Sequence, residues 1–325
     1  MSENGDAGLK KALDDAARGA GFDCARVAPA VLPAAHSARL EAWARAGMHS
    51  EMEWMARNPA ARANAETLLP DARSVIMLAA QYAGGSSGTD AGTNIPSGCV
   101  RLSSYAVGED YHHVLRRRLE PVLELLCLQR PGHRWRIFVD SSPLLERAYA
   151  AACGVGFVGR NTMLIMPRRG SFFFLAGIAT TAHIAPDSPI SGTCGSCTRC
   201  IDACPTGAIV APYMLDARRC ISCLTIEKKS ALTGEEARMI GRWAFGCDVC
   251  QQACPYNNKR ATAAGIPEFS EGRIVRRVEP LTTFTALRSN SEFERRFCGS
   301  PLLRAGRRRL IRNAGIAAGR EGTGE

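Results

Sequence analysis

The chain has 325 residues, of which 46% are hydrophobic, and its formal net charge is +10. This length gives room for two or three domains, at about 150 residues per domain, and excludes a small disulfide scaffold. The polar first residues do not resemble a signal peptide and no apolar run has the length of a membrane span, so we expect a cytoplasmic protein without membrane association.

Hydrophobic periodicity predicts alternating helices and strands over the first part of the chain. The predicted helices cover residues 9–19, 35–46, 110–128 and 143–153, and the predicted strands cover residues 23–27, 74–80, 136–139 and 170–179. Residues 84–93 are rich in glycine and serine, which indicates a surface loop. The alternation predicts an α/β or α+β domain over residues 1–186, which ends in a proline-containing linker.

Polar side chains stand at the ends of two of these elements. Asp110 is placed to cap the helix over residues 110–128, with His112 in its first turn, and Asp140 follows a strand. Capping or surface exposure is the simpler interpretation of these residues. A functional role is the alternative, because active sites of mixed folds gather at such ends. The GVGFVGRN turn is a weak nucleotide signature, because it follows a helix rather than a strand.

The cysteines carry the strongest signal in the sequence. Nine of the 14 lie in one stretch, at Cys194, Cys197, Cys200, Cys204, Cys220, Cys223, Cys247, Cys250 and Cys254. The first four have the C-x2-C-x2-C-x3-C-P spacing of bacterial two-cluster ferredoxins, in which the fourth cysteine ligates the other cluster. The last three repeat the end of this pattern but lack its first cysteine, which Cys220 or Cys223 can supply.

This crossover assigns eight thiolates to two [4Fe–4S] clusters. The ligands of the first cluster are then Cys194, Cys197, Cys200 and Cys254. The ligands of the second are Cys204, Cys247, Cys250 and one of the pair Cys220 and Cys223. Zinc sites fit less well because they need two C-x2-C pairs each, and a disulfide framework is less expected still in a long chain. We therefore predict a ferredoxin-type domain over residues 187–265.

The remaining part, residues 266–325, predicts three short helices over residues 281–287, 291–297 and 301–318, followed by a disordered end. The last helix is basic, with Arg304, Arg307, Arg308, Arg309 and Arg312. A solvated helix face is the simpler interpretation of these arginines. Contact with a nucleic-acid backbone is the sharper one, and the net positive charge is compatible with it.

Several segments together resemble the cobalamin-dependent epoxyqueuosine reductases, the QueG family. They are GEDYHHVL (108–115), VDSSPLLERA (139–148), GFVGRNTMLI (156–165), RCISCLTIE (219–227), GCDVCQQACPYN (246–257) and RRRLIRNAGIA (307–317). The resemblance implies that the chain reduces epoxyqueuosine to queuosine at the tRNA wobble position, the last step of queuosine synthesis. It also implies cobalamin, as cob(II)alamin, supplied with electrons by the two clusters, as in the similar reductive dehalogenases.

The resemblance also implies roles for individual residues. Asp140 matches the proton donor, which the leaving oxygen needs, and an apolar corrin face would favour its protonated form. Asp110 and His112 match polar residues of the active site. Matches to the cobalamin pocket and its surroundings are Arg62, Ser103, Asp140, Arg147, Gly159, Asn161, Leu164, Leu175, Ser222, Thr225 and Asp248. Our candidates for contact with the tRNA backbone are Lys228, Lys229, Arg304, Arg307, Arg308, Arg309 and Arg312.

The chain departs from the family pattern at two positions. Cys223 replaces a tyrosine, which makes Cys220 the expected ligand and Cys223 the spare thiol, and Arg160 replaces a lysine. The C-terminal helices resemble a shortened HEAT-like end. The expected fold class is therefore α+β, with an α/β cobalamin-binding domain, a two-cluster domain and a helical end, in a monomer reduced by a flavodoxin- or ferredoxin-type donor.

Three other functions compete with this interpretation. A corrinoid reductive dehalogenase for small molecules would usually carry a twin-arginine signal, which the sequence lacks at its start. A ferredoxin-like electron carrier would leave the first domain without a role and predicts no bound corrinoid. A structural iron–sulfur protein would bind nucleic acid without turnover.

Overall fold

The computed structural model describes residues 3–82, 95–258 and 265–321. The helices of these residues are α1 (Glu3–Gly19), α2 (Ala34–Arg45), α3 (Glu53–Ala56), α4 (Tyr111–Gln129), α5 (Glu146–Ala152), α6 (Arg199–Asp202), α7 (Ile221–Ile226), α8 (Gly234–Ile240), α9 (Val249–Gln252), α10 (Pro255–Asn258), α11 (Thr282–Thr285), α12 (Asn290–Arg296) and α13 (Gly306–Glu321). The strands are β1 (Cys24–Pro29), β2 (Ser74–Gln81), β3 (Cys99–Leu102), β4 (Trp135–Phe138), β5 (Phe157–Val158), β6 (Leu164–Ile165), β7 (Phe173–Thr180), β8 (Ile209–Ala211), β9 (Met214–Leu215), β10 (Trp243–Phe245) and β11 (Val278–Pro280).

The main sheet has the strand order β1-β2-β7-β4, and each of its neighbouring pairs is antiparallel. Its central strands β2 and β7 are almost entirely buried, because helices cover both faces of the sheet. Helices α1 and α4 pack on one face and α5 packs on the other. The α+β class is confirmed, whereas an α/β arrangement of the first domain is wrong, since that class requires mainly parallel strands.

One close approach ties the sheet to its edge strand. The ring of Phe138 on β4 lies over Gly177 on β7, where an added Cβ would come within 2.1 Å of the ring. Phe138 is fully buried there. Because only glycine, which has no Cβ, allows the ring to lie this close, the end of β4 is fixed against the sheet two residues before Asp140.

A second sheet joins all three parts that the sequence predicts as separate. Strand β3 pairs in parallel with β10 and antiparallel with β11, in the order β10-β3-β11. Helices α11, α12 and α13 pack their buried apolar side chains against this sheet. The boundaries 1–186, 187–265 and 266–325 stay a prediction, but these segments share one core at this sheet.

Most predicted elements are present with small shifts of their ends. The helix predicted over residues 143–153 starts later, at Glu146, and the one over residues 301–318 is divided into a 3₁₀ turn, Pro301–Arg304, and α13. The loop at residues 84–93 and the final residues 322–325 lie outside the described residues. Among the described helices, none combines the length and apolar character that crossing a membrane requires.

Candidate active site and cluster region

The start of α4 and the loop after β4 bring three predicted catalytic residues together. Asp110 caps α4, since its carboxylate accepts a hydrogen bond from the amide of His112 at 3.0 Å. The same carboxylate lies 2.7 Å from Nδ1 of His112, and Nε2 of His112 lies 3.4 Å from Oδ2 of Asp140. The imidazole therefore bridges two carboxylates.

Tyr111, which the sequence did not single out, is part of the same group. Its hydroxyl donates to Oδ2 of Asp140 at 2.8 Å. Its ring stacks on Phe174 of β7, with 4.3 Å between ring centroids and 9° between planes, and also on His112 at 4.1 Å. Packing of the aromatic rings on the sheet thus fixes the direction of both donors to Asp140.

Asp140 itself has an uncommon backbone conformation. Its φ is +54°, in the left-handed region, where aspartate is among the less disfavoured non-glycine residues. The next residue continues a tight turn, because the amide of Ser141 donates to the carbonyl of Val139 at 2.5 Å. Its side chain is 63% exposed although charged groups of several elements surround it. The carboxylate therefore stands in an open cleft, at the kind of strained position that is common in active sites.

The contacts of this group set the protonation of its members. Burial alone would lower the pKa of His112, but hydrogen bonds and charges from Asp110 and Asp140 raise it to about 9. Partial desolvation by the surrounding groups would raise the pKa of Asp140, but the donors His112 and Tyr111 lower it below its ordinary value. These hydrogen bonds lower the pKa of Asp140, whereas the apolar corrin face expected above would raise it. At neutral pH the imidazole is protonated and Asp140 is a carboxylate.

Glu146 is a further acidic residue of the cleft that the sequence did not reveal. Burial, followed by the charge of Asp140, raises its pKa to about 8, although the backbone amide of Asp140 donates to it. Within the described residues its Oε1 is buried without a hydrogen-bond partner. A glutamate six positions after Asp140 in the VDSSPLLERA segment was the available signal, but only the fold shows that its carboxyl group is buried.

The residues that match a cobalamin pocket fall into two groups in the structure. Members of the first group use their polar atoms within the protein. Asp248 accepts hydrogen bonds from the hydroxyl of Ser103 and from the amide and hydroxyl of Ser104. Thr225 accepts from the amide of Gly246 at 2.9 Å and is completely buried. The carbonyl of Ser222 accepts from the hydroxyl of Thr225 at 3.2 Å.

The second group comprises residues on or near β5, β6 and β7, together with Arg62, which lies beside Trp54. Arg147 is exposed and donates to the carbonyl of Thr162 at 2.6 Å. Gly159 has no room for a Cβ beside Ile165. Asn161 and Leu164 are buried, and Leu175 is partly buried. Arg62 is buried beside Trp54, with its guanidinium 5.5 Å from the ring centroid.

Three polar atoms near these residues have unused hydrogen-bonding capacity. Among the described residues, Nε of Arg62, Nε of Arg160 and Oε1 of Glu146 are buried without a partner. A bound molecule with many amide groups would satisfy such atoms, whereas an apolar ligand would not. These atoms are compatible with a corrinoid, and both its binding and its individual contacts stay a prediction.

Four cysteines line a cavity of about 280 Å³, the four that the spacing assigns to the first cluster. The amide of Arg160 points at Sγ of Cys194, at 3.4 Å, as expected around a thiolate. In the described residues, no three His, Cys, Asp or Glu side chains converge on a point that would hold a single metal ion. The thiols instead surround a volume, which fits a cluster.

The strongest electrostatic neighbours of most cysteines belong to the same predicted group, although Cys200 of the first group also acts on Cys250 of the second. Burial raises the pKa of Cys200, and so do the charges of its neighbours, which are Cys254, Cys194 and Cys197. Burial also raises the pKa of Cys250 to about 12, and the strongest charges acting on it are those of Cys220 and Cys204. Cys247 is influenced by Cys250 and Cys220. The grouping agrees with the crossover, and the ligand assignment stays a prediction.

Cys223 lies to one side of the second group. It is buried, burial raises its pKa to about 12, and its hydrogen-bond partner is Ser50. Among the described cysteines, Cys220 is the one whose charge acts on it. This position favours Cys220 as the ligand and Cys223 as the spare thiol.

The basic candidates for tRNA contact differ in their exposure and in the number of hydrogen bonds and ion pairs that they make within the protein. Lys229 and Arg308 are exposed. Arg304 is exposed as well, pairs with Glu227 at 3.2 Å and influences the pKa of Asp140. The other candidates already have partners in the protein. Lys228 pairs with Glu236, and hydrogen bonds to backbone carbonyl groups are donated by Arg307, Arg309 and Arg312. Contact of these residues with tRNA stays a prediction.

Arg312 has the largest number of protein contacts in this set. Its guanidinium donates to the carbonyls of Leu224, Lys228 and Ser230, at 2.9, 3.1 and 2.7 Å. It therefore joins α13 to the end of α7, a structural contact that the sequence did not indicate.

Comparison with known proteins assigns the family. A Pseudomonas aeruginosa protein named epoxyqueuosine reductase is 38% identical over 312 residues, which cover 96% of this chain and 85% of the relative. The chain belongs to the epoxyqueuosine reductase family. An Escherichia coli epoxyqueuosine reductase is 37% identical over 281 residues, covering 86% of this chain and 73% of the relative. The family model "Epoxyqueuosine reductase QueG, DUF1730" matches residues 62–141, which contain Asp110, His112 and Asp140.

Solved structures of epoxyqueuosine reductases share the fold. One with an epoxyqueuosine-modified tRNA-Tyr stem loop has a TM-score of 0.85 at 32% identity, covering 96% of this chain and 81% of that one. The Bacillus subtilis structure with its catalytic aspartate loop swung out of the active site has a TM-score of 0.84 at 31% identity, with the same coverage. A model of the 4Fe-4S double cluster binding domain matches residues 193–257. This epoxyqueuosine reductase family member is an oxidoreductase with a double-cluster domain.

Proposed function

We propose that the chain reduces epoxyqueuosine to queuosine at the wobble position of tRNA, with cobalamin supplied with electrons by two [4Fe–4S] clusters and with Asp140 as the proton donor. The observation that carries the proposal is the line of Asp110, His112 and Asp140, which ends at an exposed carboxylate. Removal of the epoxide oxygen as water takes two electrons and two protons. The imidazolium of His112 supplies one proton through Asp140, and the second reaches the same exposed carboxylate from solvent.

His112 is the proton store of the site. Its raised pKa keeps the imidazole protonated at neutral pH, and its Nε2 lies 3.4 Å from Oδ2 of Asp140. Asp110 holds the other ring nitrogen and so fixes the direction of the proton. Asp140 receives the proton and delivers it to the oxygen that leaves, since it is the exposed member of the group. Tyr111 holds the carboxylate in position meanwhile.

The cofactors fit the residues around this site. When bound, a reduced corrinoid would supply the two electrons with which the epoxide oxygen is lost. Arg62 and Glu146 carry unused polar atoms that would contribute to holding it. The eight thiolates named above would hold the two clusters, with Cys220 completing the second.

Transfer RNA is the proposed substrate because a solved relative is bound to an epoxyqueuosine-modified stem loop. Arg304, Arg308 and Lys229 are the exposed cations of this chain best suited to its backbone, and Arg304 also stands within electrostatic reach of Asp140. The cytoplasmic location, the monomeric state and the HEAT-like nature of the helical end belong to the same proposal.

Anaerobic reconstitution with iron, sulfide and cobalamin tests the proposal. About eight irons and one cobalt per chain, with queuosine formed from epoxyqueuosine-tRNA and a strong reductant, would support it. Eight irons without cobalt or turnover would favour the ferredoxin-like electron carrier instead. Tight tRNA binding without turnover would favour a structural iron–sulfur protein.

A further inference from the structure

We infer that the β8–β9 hairpin, together with the neighbouring arginines, is the docking surface for an acidic protein that carries one electron at a time. We call Val210, Tyr213, Met214, Arg160 and Arg199 the hairpin surface. The inference rests on the proposed function, because two clusters that drive a reduction must themselves be reduced by a donor.

The hairpin surface exposes a group of large apolar side chains. Val210, Tyr213 and Met214 are 45%, 46% and 45% exposed, although Ile209 on the same hairpin is buried. Tyr213 stands in the turn with a φ of +66°. Single exposed apolar residues are ordinary, but three within five positions of one hairpin are typical of a surface that binds another protein.

Hydrogen bonds connect this hairpin to one ligand of each predicted cluster, through Arg160 to Cys194 and through Ala208, directly before β8, to Cys204. The amide of Tyr213 donates to the carbonyl of Arg160 at 2.9 Å, and the amide of Arg160 faces Sγ of Cys194 at 3.4 Å. At the other end, the amide of Ala208 donates to Sγ of Cys204 at 3.3 Å. A protein bound to the hairpin would therefore be separated from a thiolate of each cluster by a single intervening residue, Arg160 on one side and Ala208 on the other.

The loop of the first cluster is open to solvent next to the hairpin. Gly195, Ser196 and Thr198 are exposed, and Cys197 between them is only partly buried. The guanidinium of Arg160 donates to the carbonyl of Gly195 at 2.6 Å, so the loop and the hairpin form one continuous surface. The cleft of the active site is built from other elements, namely α4, the turn after β4 and α5, and docking here leaves it free for tRNA.

The charges around the hairpin identify the kind of partner. Arg199, Arg218 and Arg219 are exposed beside it, and the guanidinium of Arg219 lies over Gly207, two residues before β8. The acidic residues of this region are Asp202 and the buried Asp216, which is neutralised by Arg218 at 2.7 Å. Because Arg218 is balanced by Asp216, the exposed cations that remain are Arg199 and Arg219, against Asp202; this positive rim favours an acidic partner and would increase its rate of association. The apolar centre favours a protein over a nucleic acid.

The electron balance fixes what the partner does. Each carrier loses one electron and one cluster gains it, so a two-electron reduction needs two successive docking events. The carrier must leave between them, which agrees with a small surface of mixed apolar and charged residues rather than a permanent interface.

The test measures cluster reduction without tRNA. The reconstituted enzyme is mixed with a reduced acidic flavodoxin, and bleaching of the cluster absorbance is followed by stopped flow, with dithionite in a parallel experiment. We expect Met214→Glu and Arg199→Glu to slow reduction by flavodoxin about tenfold or more and to leave reduction by dithionite unchanged. The matched control is Leu128→Glu, an 80% exposed apolar position on α4, which should reduce at the wild-type rate.

Several outcomes would overturn the inference. If Met214→Glu accepts electrons from flavodoxin at the wild-type rate, the hairpin is not the docking surface. If Met214→Glu instead weakens tRNA binding in a separate titration, the hairpin surface is a tRNA-binding surface and not the docking site of the electron carrier. Iron content and the dithionite rate identify a variant that has lost its clusters, and Tyr213→Ser then repeats the test at a milder change. Because no epoxyqueuosine is used, failure here is distinct from failure of the proposed function.

Discussion

Replacing Asp110 with Asn removes a charge from the proton store while keeping the helix cap, because asparagine caps a helix about as well as aspartate. The carboxylate lies 2.7 Å from Nδ1 of His112. Charges about 4 Å apart attract by about 4 kcal/mol at an effective dielectric constant of about 20. Both groups are half-buried, so we discount this to about 1.5–3 kcal/mol, the usual value of a charged hydrogen bond. That corresponds to about one to two pKa units.

The sign of the effect follows from the direction of the His112 pKa shift. In the folded protein this pKa is raised to about 9, so the imidazolium and its stabilising contribution are fully present below the unfolded pKa of about 6.5 and are lost as the pH rises through 9. In Asp110→Asn the His112 pKa should fall to about 7–8. Turnover should then decline at a pH lower by about one to two units.

The assay is the pH profile of single-turnover queuosine formation, together with the NMR titration of labelled histidine. The matched control is Glu109→Gln, which removes a carboxylate one position away that pairs with Arg273. If the alkaline limb and the histidine titration of Asp110→Asn coincide with those of the wild type, the proposed role of Asp110 in holding the proton is refuted.

Three further predictions follow from individual contacts. Glu146→Gln should remove a buried carboxyl group whose pKa is raised to about 8 and whose ionisation destabilises the wild type. The stability of the variant relative to the wild type, measured by thermal unfolding, should therefore increase as the pH rises from 5 to 9. A stability difference that does not change over this pH range would contradict the burial of the carboxyl group. Cys220→Ala should lose about four irons per chain and Cys223→Ala none, and the reverse result would exchange their roles. Thr225→Val leaves the amide of Gly246 without its acceptor and should lower the free energy of unfolding by about 1–3 kcal/mol in a denaturant titration, whereas no loss would show that the contact is unimportant.

Signals that are local in the sequence predicted the structure well. The sequence predicts Asp110 as a helix cap because capping depends on the type of the one residue that precedes the helix, which here is an aspartate. The apolar runs of β2 and β7 were recognised because both faces of these strands are covered. The cysteine spacing indicated the clusters because consecutive ligands wrap around one corner of a cubane.

Features that depend on distant pairing could not be predicted in this way. The antiparallel order of the main sheet and the sheet that joins β3, β10 and β11 follow from contacts between segments far apart in the chain. The protonation of the site also depends on such contacts. The local contact with Asp110 raises the pKa of His112, but the further contribution of Asp140 exists because the turn after β4 brings Asp140 to the other side of the imidazole, and the burial of Glu146 has the same origin.

The most direct test of the account is the rate of queuosine formation by Asp140→Asn, measured by mass spectrometry of tRNA nucleosides after a single turnover. Asparagine has the shape of aspartate but cannot deliver the proton. The account predicts unchanged iron, cobalt and tRNA binding, with a rate lower by about 10²- to 10⁴-fold. A variant that forms queuosine at close to the wild-type rate would show that Asp140 is not the proton donor.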